Sequence, residues 1–248
     1  MIQRYFLEVA YRGDGLSGFQ IQENAPTVQS AIEGAFFIYF REGISLTGSS
    51  RTDAGVHAYQ NYFHFDWEGS FDNRVVYNLN ALLPGNIAIK SVRSVRQDAH
   101  ARFDALSRSY GYMVYIKKDP FLADRGWYFP YELDRELLHK MADCIKSASY
   151  FEAFSKRNTQ VKNYVCKIMR SGWQFGDEYL KYEVEGNRFL RGMVRALVSS
   201  MLQVARGNRE ESWFYGLLEE GYIGQADFSA PPQGLFLERV AYPGHIFG

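Results

Sequence analysis

The sequence predicts an α+β fold made of two comparable halves, residues 1–105 and 106–248, forming a pair of sheets that share a cleft. Two observations predict it. Stretches of period 2 and of period 3.6 alternate along the whole chain, and a strand–helix–strand order met before residue 105 returns, loosely, after it. No low-complexity linker and no exact repeat interrupts the 248 residues.

Arg4 to Tyr11 alternates with β-branched and aromatic residues and reads as a strand. A Gly-rich loop, Gly13 to Gly18, follows. Thr27 is placed to cap a helix running to about Arg41, because Val28, Ala31, Ile32, Ala35, Phe36 and Tyr39 fall at helical spacing. Ile44–Ser49 and Asn61–Phe65 read as short strands. Phe71–Leu82 reads as a helix stopped by Pro84-Gly85, and Ile87–Gln97 as a strand. In the second half, Ser107–Ile116 is strand-like and Asp134 starts a helix to Lys146. Cys166–Gln174 and Tyr179–Gly186 form a hairpin around Gly176-Asp177. Arg191–Arg206 carries the clearest apolar stripe, Met193, Val194, Leu197, Val198, Met201, Leu202 and Val204. A short helix over Glu210–Glu219 and a strand over Gly234–Tyr242 complete the order.

Aromatic residues are in surplus: 18 Tyr, 19 Phe and 4 Trp make 17% of the chain. Most must fill the core, although such a surplus also suits stacking on bases. Cys144 and Cys166 give neither a disulfide framework nor a metal spacing. The start of the chain reads as a strand rather than a signal peptide, and no apolar run approaches the ~20 residues of a membrane span. The expectation is a soluble, cytoplasmic protein with no membrane partner.

Net charge is zero, but its distribution is uneven. Lys90–Lys118 holds seven basic residues against Asp98 and Asp104. Lys156–Arg170 and Arg188–Arg209 hold five each and no acid. Acid gathers at Glu132–Asp143, Asp177–Glu185 and Glu210–Glu220. This segregation is what a basic cleft on a neutral protein produces.

Several tempting motifs fail. Gly13-x-Gly15-x-x-Gly18 follows a strand, yet no helix opens at its third glycine, so the dinucleotide reading lapses. Ser50, Asp53 and His57 lie too close in one loop to align as a hydrolase triad. The five histidines, 57, 64, 100, 139 and 245, are scattered without metal-ligand spacing, and the deaminase pattern is absent. Gly48 to Ala58 is different: small residues there allow a tight backbone and close approach by a large ligand. Arg51 and Asp53 share one face if that stretch is extended. Taken alone, the pair reads as a solvated ion pair in a turn.

That segment resembles the motif G-R-T-D-A-G-V-H-A of the tRNA pseudouridine synthase A family, with Ser50 in place of the first glycine. Further matches follow in the family's order. They are Tyr11-Arg12-Gly13…Gly18-Phe19-Gln20-Ile21-Gln22…Thr27-Val28-Gln29, then Ala101-Arg102-Phe103-Asp104-Ala105…Arg108-Ser109-Tyr110-Gly111-Tyr112. Phe189-Leu190-Arg191-Gly192-Met193-Val194-Arg195 and Ala230-Pro231…Gly234-Leu235-Phe236-Leu237…Val240 close the series, so the resemblance spans nearly the whole chain. Departures are Leu16 for an aromatic, Ser199 for a glycine, and a Tyr150–Phe154 segment without its usual aspartate.

The resemblance implies a fold of two similar ferredoxin/RRM-like α/β-sandwich halves, forming one extended mixed, mainly antiparallel sheet with a central cleft. It implies an isomerase that converts uridine to pseudouridine at positions 38 to 40 of the tRNA anticodon stem-loop, as a homodimer gripping one tRNA, with no metal or organic cofactor. It assigns Asp53 as the catalytic carboxylate, Arg195 as its ion-pair partner, Arg51 to the RNA backbone and Tyr110 to stacking on the flipped uracil. Charge segregation adds Arg102, Arg108, Lys156 and Lys162 as phosphate contacts. A non-catalytic RNA-binding protein of the same fold is the alternative, and it predicts damage at Asp53, Tyr110 or Arg195; none is damaged.

Overall fold

Local signals set most of the elements. Thr27 caps α1 with a reciprocal box: its side chain accepts from the Ser30 N–H, and the Ser30 hydroxyl accepts from the Thr27 N–H at 3.1 Å. Asp72 caps α2 through the Val75 N–H, and Asp134 caps α3 through the Leu137 N–H, as short acceptor side chains do. In chain order the elements are β1 (Ile2–Tyr11), α1 (Val28–Phe40), β2 (Thr47–Gly48), β3 (His57–Glu68), α2 (Asn73–Leu82), β4 (Ile87–Ser94) and β5 (Ser107–Tyr115). Then come β6 (Trp127–Tyr128), α3 (Arg135–Ser147), β7 (Ile168–Phe175), β8 (Tyr179–Gly186), α4 (Met193–Ala205), α5 (Glu211–Gly216) and β9 (Leu235–Ala241). This is the expected α+β class. The computed structural model describes residues 1–157, 161 and 163–247.

The chain divides into two compact units, Met1–Leu106 with the stretch from Phe236 onward, and Ser107–Leu235. In the first, strands run β4-β1-β3-β9, with β2 also on β3. β1 is antiparallel to both β3 and β4, whereas β9 joins β3 in parallel through His57↔Phe236 and Ala58↔Leu237. One sheet face meets α1, where Phe36 packs edge-on against Phe65 at 5.4 Å. On the other, Phe6 and Tyr62 meet Tyr242 and Phe247. Phe6, Phe36, Phe63 and Phe65 are all essentially covered, so the aromatic surplus is largely core.

In the second unit β8 lies between β5 and β7, all antiparallel, and β6 adds to β5 in parallel. α3 packs on β7 and α4 on α3. α4 is buried nearly all round, and its two serines spend their hydroxyls internally: Ser199 donates to the Asp227 carbonyl, and Ser200 accepts from the Asp227 N–H.

Several element bounds differ from the sequence expectation. β3 begins at His57, not Asn61, because pairing with the end of β1 and with β9, some 180 residues away, extends it. The expected Ile44–Ser49 strand shrinks to Thr47–Gly48. β6 was not expected. α4 starts at Met193, after Gly192 takes a left-handed φ of 76° as its cap.

Candidate active site

In the first unit the Asp53 loop joins β2 to β3 and closes as a turn, with the Val56 N–H donating to the Asp53 carbonyl at 3.2 Å. Gly55 sits at its corner with φ 77°, which a side chain would strain. The Gly-rich loop lies against this turn. The Phe19 N–H donates to the Thr52 carbonyl, and a Cβ on Gly18 would come within 2.9 Å of that same oxygen. A Cβ on Gly13 would collide with the Val56 carbonyl oxygen. The glycines thus serve close backbone approach rather than a nucleotide.

Beneath the loop lies a buried polar network. Asn61, 0% exposed, accepts from the Ser49 hydroxyl and from the Tyr62 N–H, and donates to the Ser50 carbonyl and the Tyr11 hydroxyl. Tyr11 in turn shares a 2.8 Å hydrogen bond with the Thr52 hydroxyl, next to Asp53. Both Asn61 donors and both lone-pair sites are engaged, which fixes the backbone on each side of Arg51. Asp53 is half-buried. Arg51 is exposed, and among the described residues no ion pair or hydrogen bond of its side chain is found. His57 is buried, with Nδ1 accepting from the Gly13 N–H at 3.0 Å, so it pins the glycine loop. That engagement leaves little for a Ser50–His57 hydrolase reading.

In the second unit Tyr110 lies on β5 opposite Val184, 8% exposed, its ring edge-on to Phe189 at 5.1 Å. Arg195 occupies the first turn of α4, and its Nε donates to the Ala230 carbonyl at 2.7 Å. The residues after Ala230 are clamped as well. The Tyr112 hydroxyl donates to the Pro231 carbonyl, and a Cβ on Gly234 would meet the Tyr112 ring at 2.6 Å. Burial pushes the Tyr112 phenol well above its ordinary range, so it stays a donor. Lys156 lies beside this helix start: its N–H donates to the Arg191 carbonyl, and its stem would be 3.1 Å from a Cβ on Gly192. Lys156, Arg191 and Arg195 therefore gather at the positive end of a helix with no acid in its first turn, a place that favours an anionic partner.

Of the remaining expected phosphate contacts, Arg102 is exposed with its guanidinium 5.9 Å from the Phe103 ring, and Arg108 donates to the Asn187 carbonyl at 2.9 Å. Lys162 falls outside the described residues. Among the described residues no cluster of His, Cys, Asp or Glu could hold a metal, and no helix is long and apolar enough to cross a membrane. Sequence reasoning missed Asn61 and the Tyr11 hydroxyl. The available signal was one asparagine amid the aromatic run of β3.

Comparison with known proteins bears on this geometry. A family model described as tRNA pseudouridine synthase matches residues 148–243. The tRNA pseudouridine synthase A of Parabacteroides distasonis is 41% identical, aligned over 99% of this chain and 98% of its own. That of Bacteroides fragilis is 40% identical over 99% of each chain, and that of Staphylococcus epidermidis 35% identical over 96% of this chain and 90% of its own.

Proposed function

The chain belongs to the tRNA pseudouridine synthase A family, and from that premise we propose that it isomerises uridines at positions 38 to 40 of the tRNA anticodon stem-loop with Asp53 as the catalytic carboxylate. Tyr110 stacks on the flipped uracil, Arg195 pairs with Asp53 and fixes its rotamer, and Arg51 holds the RNA backbone. The observation that carries the reading is the Asp53 loop, a half-buried carboxylate on a turn held by a saturated buried network. Such preorganisation is what a reacting group needs.

The reaction breaks the N1–C1′ bond, turns the uracil and forms C5–C1′; C5 then loses its proton and N1 gains one. A carboxylate serves by attacking C1′ or C6, or by taking a proton from C2′. Tyr110 is 8% exposed, and stacking on it requires a base drawn out of its helix. Arg195, oriented by Ala230 at a helix start, suits an anionic partner. In this reading the two halves are ferredoxin/RRM-like, forming one sheet with a cleft for the RNA, and the enzyme works in the cytoplasm as a homodimer.

The test is to incubate the protein with unmodified tRNA transcripts and map pseudouridine by carbodiimide-dependent primer extension. Wild type gives stops reporting positions 38 to 40, and Asp53→Ala gives none. Modification elsewhere in the tRNA would overturn the anticodon assignment, and an Asp53→Ala variant as active as wild type would overturn the role of Asp53.

A further inference from the structure

Beside the Asp53 loop three aromatic rings form a stack that the reading above does not use. His57 and Tyr59 sit two apart on β3, and so project to one face of it. Phe236 pairs opposite His57 from β9. Its ring is stacked on His57 at 4.7 Å and 26°, and on Tyr59 at 5.2 Å and 15°. The inner end of the stack is buried, with His57 3% exposed. The outer end is open, with Tyr59 60% exposed. All three rings line a cavity of about 180 Å³ together with Tyr11, Arg12 and Asn86. That is below the roughly 300–1,000 Å³ of sites for drug-sized ligands, and a size for one planar ring.

A single exposed aromatic residue needs no explanation. Tyr59 differs in three respects. Its ring is already ordered, since it lies nearly parallel to Phe236, which is backed by a histidine pinned to Gly13, so little is lost in fixing it on binding. It lies six residues beyond Asp53, on the strand that the Asp53 turn enters. A cation lines the same cavity: Arg12, oriented by Asp14 at 3.1 Å. Asn86 holds the backbone there, accepting from the Arg12 N–H and donating to the Asp14 carbonyl. A planar ring with a guanidinium beside it is the pairing that binds an unpaired nucleotide, the base on the ring and the phosphate near the cation.

We propose that Tyr59, backed by Phe236, is a stacking platform for an unpaired base of the tRNA flanking the uridine that reacts, with Arg12 serving its phosphate. The assignment rests on the Asp53 loop being the place of reaction. The Tyr59 hydroxyl makes no hydrogen bond to a described residue, so the ring alone carries the role.

Filter binding of an unmodified tRNA transcript, with pseudouridine formation followed by tritium release from 5-tritiated uridines, tests it on Tyr59→Ala, Tyr59→Leu and Tyr59→Trp. Ala and Leu should weaken binding about tenfold and raise KM in parallel, with kcat within about twofold of wild type. Trp, which keeps a π-face, should bind like wild type. The Leu variant separates stacking from mere apolar area. Unchanged binding in Tyr59→Ala, or equal binding by Leu and Trp, overturns the platform. Binding is read separately from turnover, so a wild type that binds but is inactive on every transcript counts against the functional reading rather than the platform. Weakened binding with an unchanged melting temperature rules out a merely structural role for the exposed ring.

Discussion

Asn61 holds four hydrogen bonds at zero exposure, two of them to groups flanking Arg51 on the Asp53 loop or contacting Thr52. An Asn61→Leu substitution fills similar space but removes the partner that Asn61 supplies to the Ser50 carbonyl, the Ser49 hydroxyl, the Tyr62 N–H and the Tyr11 hydroxyl, while Tyr11 keeps its bond to Thr52 and Ser49 its contact to Ser50. Each buried polar group left without its partner costs about 1–3 kcal/mol. Asn61→Leu should therefore lower the unfolding free energy by at least ~2 kcal/mol in urea titration. It should also lower kcat more than tRNA affinity, because the network sets the loop and does not touch RNA. Tyr11→Phe, losing one hydroxyl between Thr52 and Asn61, should show the same pattern at a smaller size. A wild-type kcat in a folded Asn61→Leu protein would show that the network does not position Asp53. At this scale the sequence was partly legible. Arg51, Asp53 and the glycines were found in one short stretch, but Asn61 and Tyr11 act through contacts some 10 to 50 residues long, which no local pattern encodes.

Elements were legible where their signals are local, as with the caps of α1, α2 and α3 and the apolar stripe of α4, and illegible where pairing is distant. β3 shows both. Its centre reads as a short strand in the sequence, while its first residues join the sheet through the end of β1, with Tyr11 opposite Ala58, and through β9, and such long-range pairing leaves no periodic trace. The same strand carries a pH-sensitive contact. His64 on β3 accepts the Ala101 N–H at its Nδ1, and its ring lies 4.4 Å from His100. Burial first, then the His100 charge and Arg4, lower the His64 pKa from its ordinary 6.5 to about 4, against the opposite pull of Asp66 and Asp104. A histidine whose folded pKa is depressed favours folding in its neutral form. Its contribution is complete above about pH 6.5 and is lost as pH falls towards 4. Wild type should thus lose on the order of 1–2 kcal/mol more stability between pH 7 and pH 4.5 than His64→Phe does, read from urea midpoints at the two pH values. Parallel losses in the two proteins would place the titrating groups elsewhere.

Across the whole molecule 28 Lys and Arg balance 28 Asp and Glu, so attraction for a polyanion must come from where the charges sit. The described cations assigned to phosphate contacts are not buried. Arg102 is exposed beside Phe103, Arg108 is aimed by the Asn187 carbonyl, and Lys156 lies at the α4 start with Arg191. Other cations form ion pairs: Arg4 with Asp66, Lys117 with Glu178, Lys140 with Glu211 and Arg170 with Glu183. Each phosphate neutralised releases condensed counterions, so log Kd for tRNA should rise linearly with log salt, by roughly 0.7 to 0.9 per contact. With three or four such contacts the slope should be about 3. Arg102→Gln, Arg108→Gln and Lys156→Gln should each weaken binding and lower that slope by about 1, whatever the tRNA sequence. Tyr59→Ala should instead weaken binding with the slope unchanged, since a stacked base releases no counterion. Measuring Kd from 50 to 200 mM salt for the four variants separates the two modes. A wild-type slope near zero would mean that the segregated charges serve solubility alone. A slope that drops in Tyr59→Ala as much as in Lys156→Gln would mean that the ring and the cations hold the RNA as one unit.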